Sequence, residues 1–277
     1  IVITTKRGKT GASSVDYNFE YALQKPTALP EYVNSPTYMK YFNEQATNDG
    51  AATGPYSNDF IVNFEQNRAA KPNIFPFGST DWQDLIMTNK YAPRQQHDLV
   101  FTSGTDKLKT KISLGYQDTG AFYDNFNYER YQFRVNNDIR ISEKLSATAD
   151  LAFRRLNNLR PVDNPFSGST PIYEARILPP IYIAKYTNGE YGVAKDGRNP
   201  LAQLEQGGNY DGRSNQLQGR IALNFKPIQD LTVIAMLAPT FDFDKSKAFR
   251  KKIAFNNPDG SPSAAVNTPL STLRETR

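Results

Sequence analysis

Strict alternation of apolar and polar residues over long segments constrains this chain more than any other feature of its sequence. Val15, Tyr17, Phe19, Tyr21 and Leu23 alternate with Asp16, Asn18, Glu20, Ala22 and Gln24. Ile112, Leu114 and Tyr116 do so with Lys111, Ser113, Gly115 and Gln117. Tyr131, Phe133, Val135, Ile139 and Ile141 form one face of the next segment, and Arg134, Asn136, Asp138 and Arg140 the other. Leu145 to Phe153, Leu217 to Phe225 and Leu231 to Phe243 repeat the pattern, and a weaker strand covers His97 to Ser103. Period two at this length means long strands with one apolar and one polar face. Seven strands are expected.

The connections choose between architectures. Ser103 to Lys107, Ser142 to Lys144 and Lys226 to Asp230 are tight turns, whereas about 25–95, Asp118 to Tyr128 and Asn157 to Ser214 are long. Short and long links alternate, as in a membrane barrel with short turns at one rim and long loops at the other. A soluble sandwich has hairpins at both ends and strands of five or six residues. The fold class is therefore all-β: part of a large antiparallel transmembrane β-barrel with short helical turns in its loops. Seven is an odd number that would leave open edges, so the chain should be part of a larger barrel.

Composition narrows the chemistry. There is no cysteine and a single histidine, His97, which excludes disulfides, thiolate nucleophiles and Cys- or His-cluster metal sites. The formal charge of +5 is too mild for a nucleic-acid-binding tail. The longest apolar run, Val233 to Pro239, is far too short for a transmembrane helix. Aromatic residues reach 12% at a mean hydropathy of −0.62, which fits neither disorder nor a helical membrane protein. The N-terminal Ile1-Val2-Ile3-Thr4-Thr5 reads as a strand entered midway, as in a piece of something longer.

Ile1-Val2-Ile3-Thr4-Thr5-Lys6-Arg7-Gly8-Lys9 resembles the segment that closes the plug and enters the barrel in SusC/RagA-type TonB-dependent outer-membrane transporters. Thr80-Asp81-Trp82-Gln83-Asp84 resembles the family's motif just before the second barrel strand. His97 to Asp118 and Tyr131-Gln132-Phe133-Arg134 are similar to its second to fourth strands. The resemblance implies a barrel of about 22 strands. Residues 1–9 would end the plug, and residues 10–277 would form the N-terminal part of the barrel. It also implies a SusD-like surface lipoprotein as partner, TonB acting through an N-terminal part outside this chain, outer-membrane lipid around the barrel, and no cofactor. The outer membrane of a Gram-negative, Bacteroidetes-like cell is the implied location. Imported nutrients would be oligosaccharides, with peptides second. A soluble β-rich adhesin or carbohydrate-binding module is the alternative from another class.

Several constellations could carry chemistry, and each has a plainer reading. His97 beside Asp98 reads as a rim or lumen histidine, since no Gly-x-Ser-x-Gly elbow supplies a nucleophile. Asp242 and Asp244 share a strand face but are too few for a hard cation. No catalytic or metal-binding residues are expected. The wall charges are nearly balanced in sign, so a salt-bridged inner face is expected. Ser35 should cap a helix bearing Tyr38, Met39, Tyr41 and Phe42, and Ser79 or Thr80 should cap the Trp82 turn, with packing the favoured role of these rings. The 157–214 loop holds Phe166, Tyr173, Tyr182, Tyr186 and Tyr191, the candidate ligand-binding residues, because ordered loops this long are usually functional. Phe133, Val135, Ile139, Leu151, Ile221 and Leu223 should face lipid, with Arg134, Asp138, Asp150 and Arg220 inward.

Overall fold

A computed structural model describes residues 6–163, 170–263 and 270–276. The alternating segments become β1 (Gly11–Gln24), β2 (Ala92–Gly104), β3 (Leu108–Gly120), β4 (Asn127–Arg140), β5 (Leu145–Pro161), β6 (Gly208–Phe225), β7 (Val233–Leu237), β8 (Thr240–Arg250) and β9 (Leu270–Thr276). They form one sheet in the order β1-β2-β3-β4-β5-β6-β8-β9, with β7 also on β6. Every described pairing is antiparallel.

β7 and β8 are two parts of a single strand. Ile221 pairs with Leu237 and Gln218 with Thr240, so the register is unbroken across the gap. The gap falls at Pro239, which has no N–H to donate, while its carbonyl still accepts from Gly219 N at 2.9 Å. The seven expected strands are thus present, and β9 adds an eighth.

Three strands outrun their sequence pattern. β2 begins at Ala92, and β5 and β6 extend to Pro161 and from Gly208, which shortens the long loop to 162–207. Their extra residues, among them Asn157, Asn158, Arg160, Asn209 and Arg213, are polar on both faces. Alternation is lost there because neither face meets an apolar surroundings, yet the ladder continues through Leu159↔Asp211 and Pro161↔Asn209.

The apolar face is a band. Ile112, Val135 and Leu151 share a row, as do Leu114, Phe133, Phe153 and Leu217. From Ile139 to Tyr131 the band runs about 27 Å along β4. One rim is aromatic: Phe19, His97, Tyr116 and Tyr131 lie in one row, with rings 4.8, 6.0 and 5.0 Å apart in sequence. His97 therefore stands on the apolar face and not in the lumen, because it shares parity with Leu99 and Phe101. Its Nδ1 is hydrogen-bonded to the Tyr17 hydroxyl at 2.7 Å.

The short connections, 105–107, 141–144 and 226–232, all lie at one end of the sheet. At the other end the long connections carry helices: α1 (Ser35–Asn48), α2 (Asn58–Val62), α3 (Phe64–Ala70) and α4 (Trp82–Ile86) before β2, then α5 (Pro171–Ile177) and α6 (Pro200–Gln206) before β6. The caps differ from expectation by one residue. Asn34 caps α1 through Thr37 N, while Ser35 enters the helix and is fully buried, donating to Gly78 O at 2.7 Å. Asp81, not Ser79 or Thr80, caps α4 through Asp84 N. In both places a longer carboxylate or amide acceptor lies next to the expected hydroxyl.

Candidate functional site

Two features could do work: a helical bundle built by the long connections, and the polar face of the sheet. The bundle forms because apolar residues in these loops have no other surface to bury. Trp82 and Ile86 of α4 pack on Ala175 of α5 and Leu178 just after it, on Ala184 and Ala194, and on Leu204 of α6. Met39 and Ile61 close a second cluster with Phe64, Phe77 and Ile181. A third unites Tyr191 and Ala202 with Ile253 and Phe255 from the β8–β9 connection. Hydrogen bonds weld the first two: Gly78 N donates to Ile181 O at 3.1 Å and Thr80 N to Pro180 O at 2.9 Å along the backbone, and the Trp82 indole Nε1 donates to Pro179 O at 3.0 Å. Gly78 is required for this approach, since a Cβ there would stand 2.4 Å from the Tyr182 carbonyl oxygen. Met39 and Trp82 thus pack, whereas Tyr41 and Phe42 remain exposed. A crevice of about 680 Å³ separates the two connections, with Arg68, Thr80, Asp84, Lys185 and Glu205 on its walls.

Four of the five candidate loop aromatics fall in this bundle, and Phe166 lies outside the described residues. Tyr173 is 56% exposed on α5. Tyr182 is half-buried, packed on Phe75 with ring centres 5.0 Å apart. Tyr186 and Tyr191 share a small hairpin through the Lys185↔Tyr191 bridge. Tyr191 is buried, and its hydroxyl donates to the Glu205 carboxylate. Burial first, then Glu205, pushes its phenol up to about 12. A folded-state value above the unfolded one means stability that is complete below pH 10 and falls as pH rises toward 12. The bundle is expected to lose on the order of 2 kcal/mol across that window. Amide exchange over residues 185–205 should accelerate there in the wild type, and Tyr191→Phe should weaken that pH dependence, the half-buried phenols of Tyr182 and Tyr186, also raised, keeping the rest.

On the polar face, Lys6 to Lys9 lie along the sheet at the short-turn end. Gly8 permits this, since a Cβ would meet Thr110 N at 2.7 Å. Arg7 forks onto the Asp150 carboxylate, one of its two bonds being 2.8 Å, and reaches Asp138 at 3.5 Å. Arg220 reaches Asp150 at 3.4 Å from the other side. Asn136, 2% exposed, donates to Lys6 O at 3.3 Å. Asp138, Asp150 and Arg220 therefore share the polar face, as their parity requires. Asp150→Asn should cost about 1–3 kcal/mol of local stability, because two guanidinium groups lose a partly buried anion. Faster amide exchange at residues 6–9 is the check.

The wall is less evenly paired than its balanced charge suggests. Arg130, Arg134 and Arg154 have no ion-pair or side-chain hydrogen-bond partner among the described residues. The sequence carries no signal for that cluster or for the Arg7 seat, since both need the register of the strands. The described residues hold no group of three or more His, Asp or Glu that could bind a metal ion.

No family model matches the chain. TonB-dependent receptor P26 of Formosa agariphila is 28% identical over 255 residues, covering 90% of this chain and 23% of that protein. TonB-dependent receptor P3 of the same organism is 28% identical over 144 residues, covering 52% of this chain and 12% of its own length. Among solved structures, the RagAB peptide transporter superposes with a TM-score of 0.66 at 20% identity, over 98% of this chain and 32% of the matched one. The closed-closed state of the RagAB peptide importer gives 0.63 at 20% identity, over 93% and 31%. The chain thus spans about a quarter of one receptor's length and a third of a RagAB chain. In sequence it resembles TonB-dependent receptors and in fold part of a RagAB importer chain, so that it is similar to a SusC/RagA-type TonB-dependent outer-membrane transporter over part of that transporter's length.

Proposed function

We propose that this chain is the N-terminal part of the barrel of an outer-membrane, TonB-dependent importer of large nutrients, oligosaccharides first and peptides second. The observation that carries the reading is the division of the sheet into an apolar band with an aromatic rim and a polar face on which Lys6 to Lys9 are seated. Hydrocarbon demands the first, and a lumen the second. Residues 1–9 are then the end of the plug and residues 10–277 barrel wall and loops. The work is differential binding at a gated site, without covalent chemistry. A SusD-like lipoprotein would cover the loop end, and TonB would act through the plug. The relatives are receptors and importers by name, which supports transport over catalysis. Tyr173, Tyr182, Tyr186, Tyr191 and Phe166 are the loop residues proposed to meet the ligand.

Sidedness tests the reading. Lys195 is exposed in the loop bundle, and Lys144 is exposed in a short turn. In the parent protein, a cysteine-specific reagent added to intact cells should modify Lys195→Cys and spare Lys144→Cys until the outer membrane is breached. The reverse pattern would reject the topology. Recovery of the parent protein without detergent would favour the soluble adhesin instead.

A further inference from the structure

We propose that Arg130, Arg134 and Arg154 form an anion-binding patch on the inner wall, and that its ligand is an acidic group, a carboxylate or sulfate ester, carried by the imported molecule. The inference rests on the importer reading, because only there does the polar face line a passage. In the β4–β5 register Gln132 is opposite Arg154, with Arg130 opposite Leu156 and Arg134 opposite Ala152. Arg154 is therefore the diagonal neighbour of both other arginines, at roughly 7–8 Å. A hollow of about 360 Å³ lies over Arg134 and Arg154, with Gln132, Gln216, Gln218 and Asp98 around it, and Gly115 has no side chain to fill the space between Asp98 and Gln132.

Three neighbouring guanidinium groups repel one another, since diagonal neighbours are within reach of long side chains. The wall has carboxylates nearby that could relieve this, Asp98 in the lining of the same hollow and Asp242 opposite Gln216, and neither makes an ion pair with the three arginines. Asp98 accepts from Gln96 Nε2 at 2.7 Å, and Asp242 from Gln216 Nε2 at 2.8 Å. Elsewhere on the same sheet a lone arginine, Arg94, does find its carboxylate, Glu20, at 3.1 Å. The patch keeps its donors open. Planar guanidinium forks match the paired oxygens of a carboxylate or sulfate, and the glutamines add neutral donors and acceptors of the kind that suit hydroxyls.

The chain's own N-terminal segment is a poor candidate for the same place. Where that segment meets the wall, the wall is acidic at Asp138 and Asp150 and the segment is basic at Lys6, Arg7 and Lys9. The arginine patch has the opposite sign.

Crystals of the full-length transporter soaked in sodium selenate provide the first arm. An anomalous peak within hydrogen-bond reach of at least two of the three guanidinium groups is expected, and Arg134→Gln with Arg154→Gln should abolish it. An empty patch, a carboxylate of the protein itself on these arginines, or a peak that survives both substitutions overturns the proposal. The same crystals report the barrel independently: a polar face turned away from the lumen would reject the importer reading itself. The second arm separates substrate from an adventitious ion only. Titration of the detergent-solubilised transporter with trigalacturonate and with neutral galactotriose should show the acid bound at least about tenfold more tightly, a preference lost in the double variant. No preference for the acid, including no binding of either trimer, overturns the assignment of the ligand.

Discussion

Trp82→Ala is expected to loosen α5 and α6 of the β5–β6 connection from α4 of the β1–β2 connection while the sheet stays intact. Trp82 is 3% exposed and stands at the centre of the largest apolar cluster of the bundle, against Ile86, Ala175, Leu178 and Leu204. Truncating a buried tryptophan costs about 3–5 kcal/mol, and the orphaned Pro179 carbonyl adds about 1 kcal/mol where it stays dry. The remaining ties gather around Ile181 and Tyr182: the backbone bonds of Gly78 and Thr80, the Thr80 hydroxyl on Tyr182 O at 2.7 Å, two bonds between Asn73 and Thr187, and the cluster of Met39, Ile61, Phe64 and Phe77 with Ile181. Those ties keep residues 179–187 against the first connection, whereas α5 and α6 lose the ring that packs them on α4. Amide exchange over α5 and α6 should rise sharply and protease should cut at exposed Arg176, with the strand signal unchanged. Trp82→Phe, which keeps most of the apolar volume, should lose much less. Unchanged loop protection in Trp82→Ala would show that the bundle is held elsewhere. If the importer reading is right, the alanine variant also loosens the surface that a ligand meets first.

The sheet was legible in the sequence because each strand meets two different surroundings, and alternation records both. Legibility stops where that contrast stops. The ends of β5 and β6 are polar on either side, so Asn157 to Pro161 and Gly208 to Arg213 read as loop although they pair residue for residue. β9 has Leu270 and Leu273 out of phase with period two, and only its ladder to β8 identifies it. Two loop helices, α1 and α4, were legible, yet their caps moved to Asn34 and Asp81 because several acceptors compete within two residues, and α2, α3, α5 and α6 were not anticipated. Of the two places open to His97, rim or lumen, its parity with Leu99 selects the rim. The Arg7–Asp150 seat joins residues 143 apart in the chain, and the arginine patch depends on which residues of β4 and β5 lie opposite. Such constellations exist only after register is set. Face, by contrast, is a local property, and it was readable.

Face assignment also sets the second large effect. Val135→Arg in the parent protein should weaken its insertion by about 2–4 kcal/mol, the cost of a cation on the lipid side near the bilayer midplane. Val135 lies between Ile112 and Leu151 in its row, with Leu114, Phe133 and Phe153 in the row toward the aromatic rim. In the other direction the next row holds Thr110 and Asn137, which spend their polar atoms on each other at 2.8 Å. A new guanidinium therefore has no carboxylate within its row, and the aromatic rim at Tyr131 is about 14 Å away along the strand. Snorkelling recovers only part of the penalty. Asn18→Arg is the matched control. It stands on the polar face opposite Asp98, with Asp16 and Glu20 on either side of it in β1, and should change stability by no more than about 0.5 kcal/mol. Urea titration of both variants refolded into lipid vesicles gives the comparison directly. Equal effects would mean that the two faces of the sheet meet the same solvent, and the barrel would have to be abandoned for a soluble sheet with water on both sides.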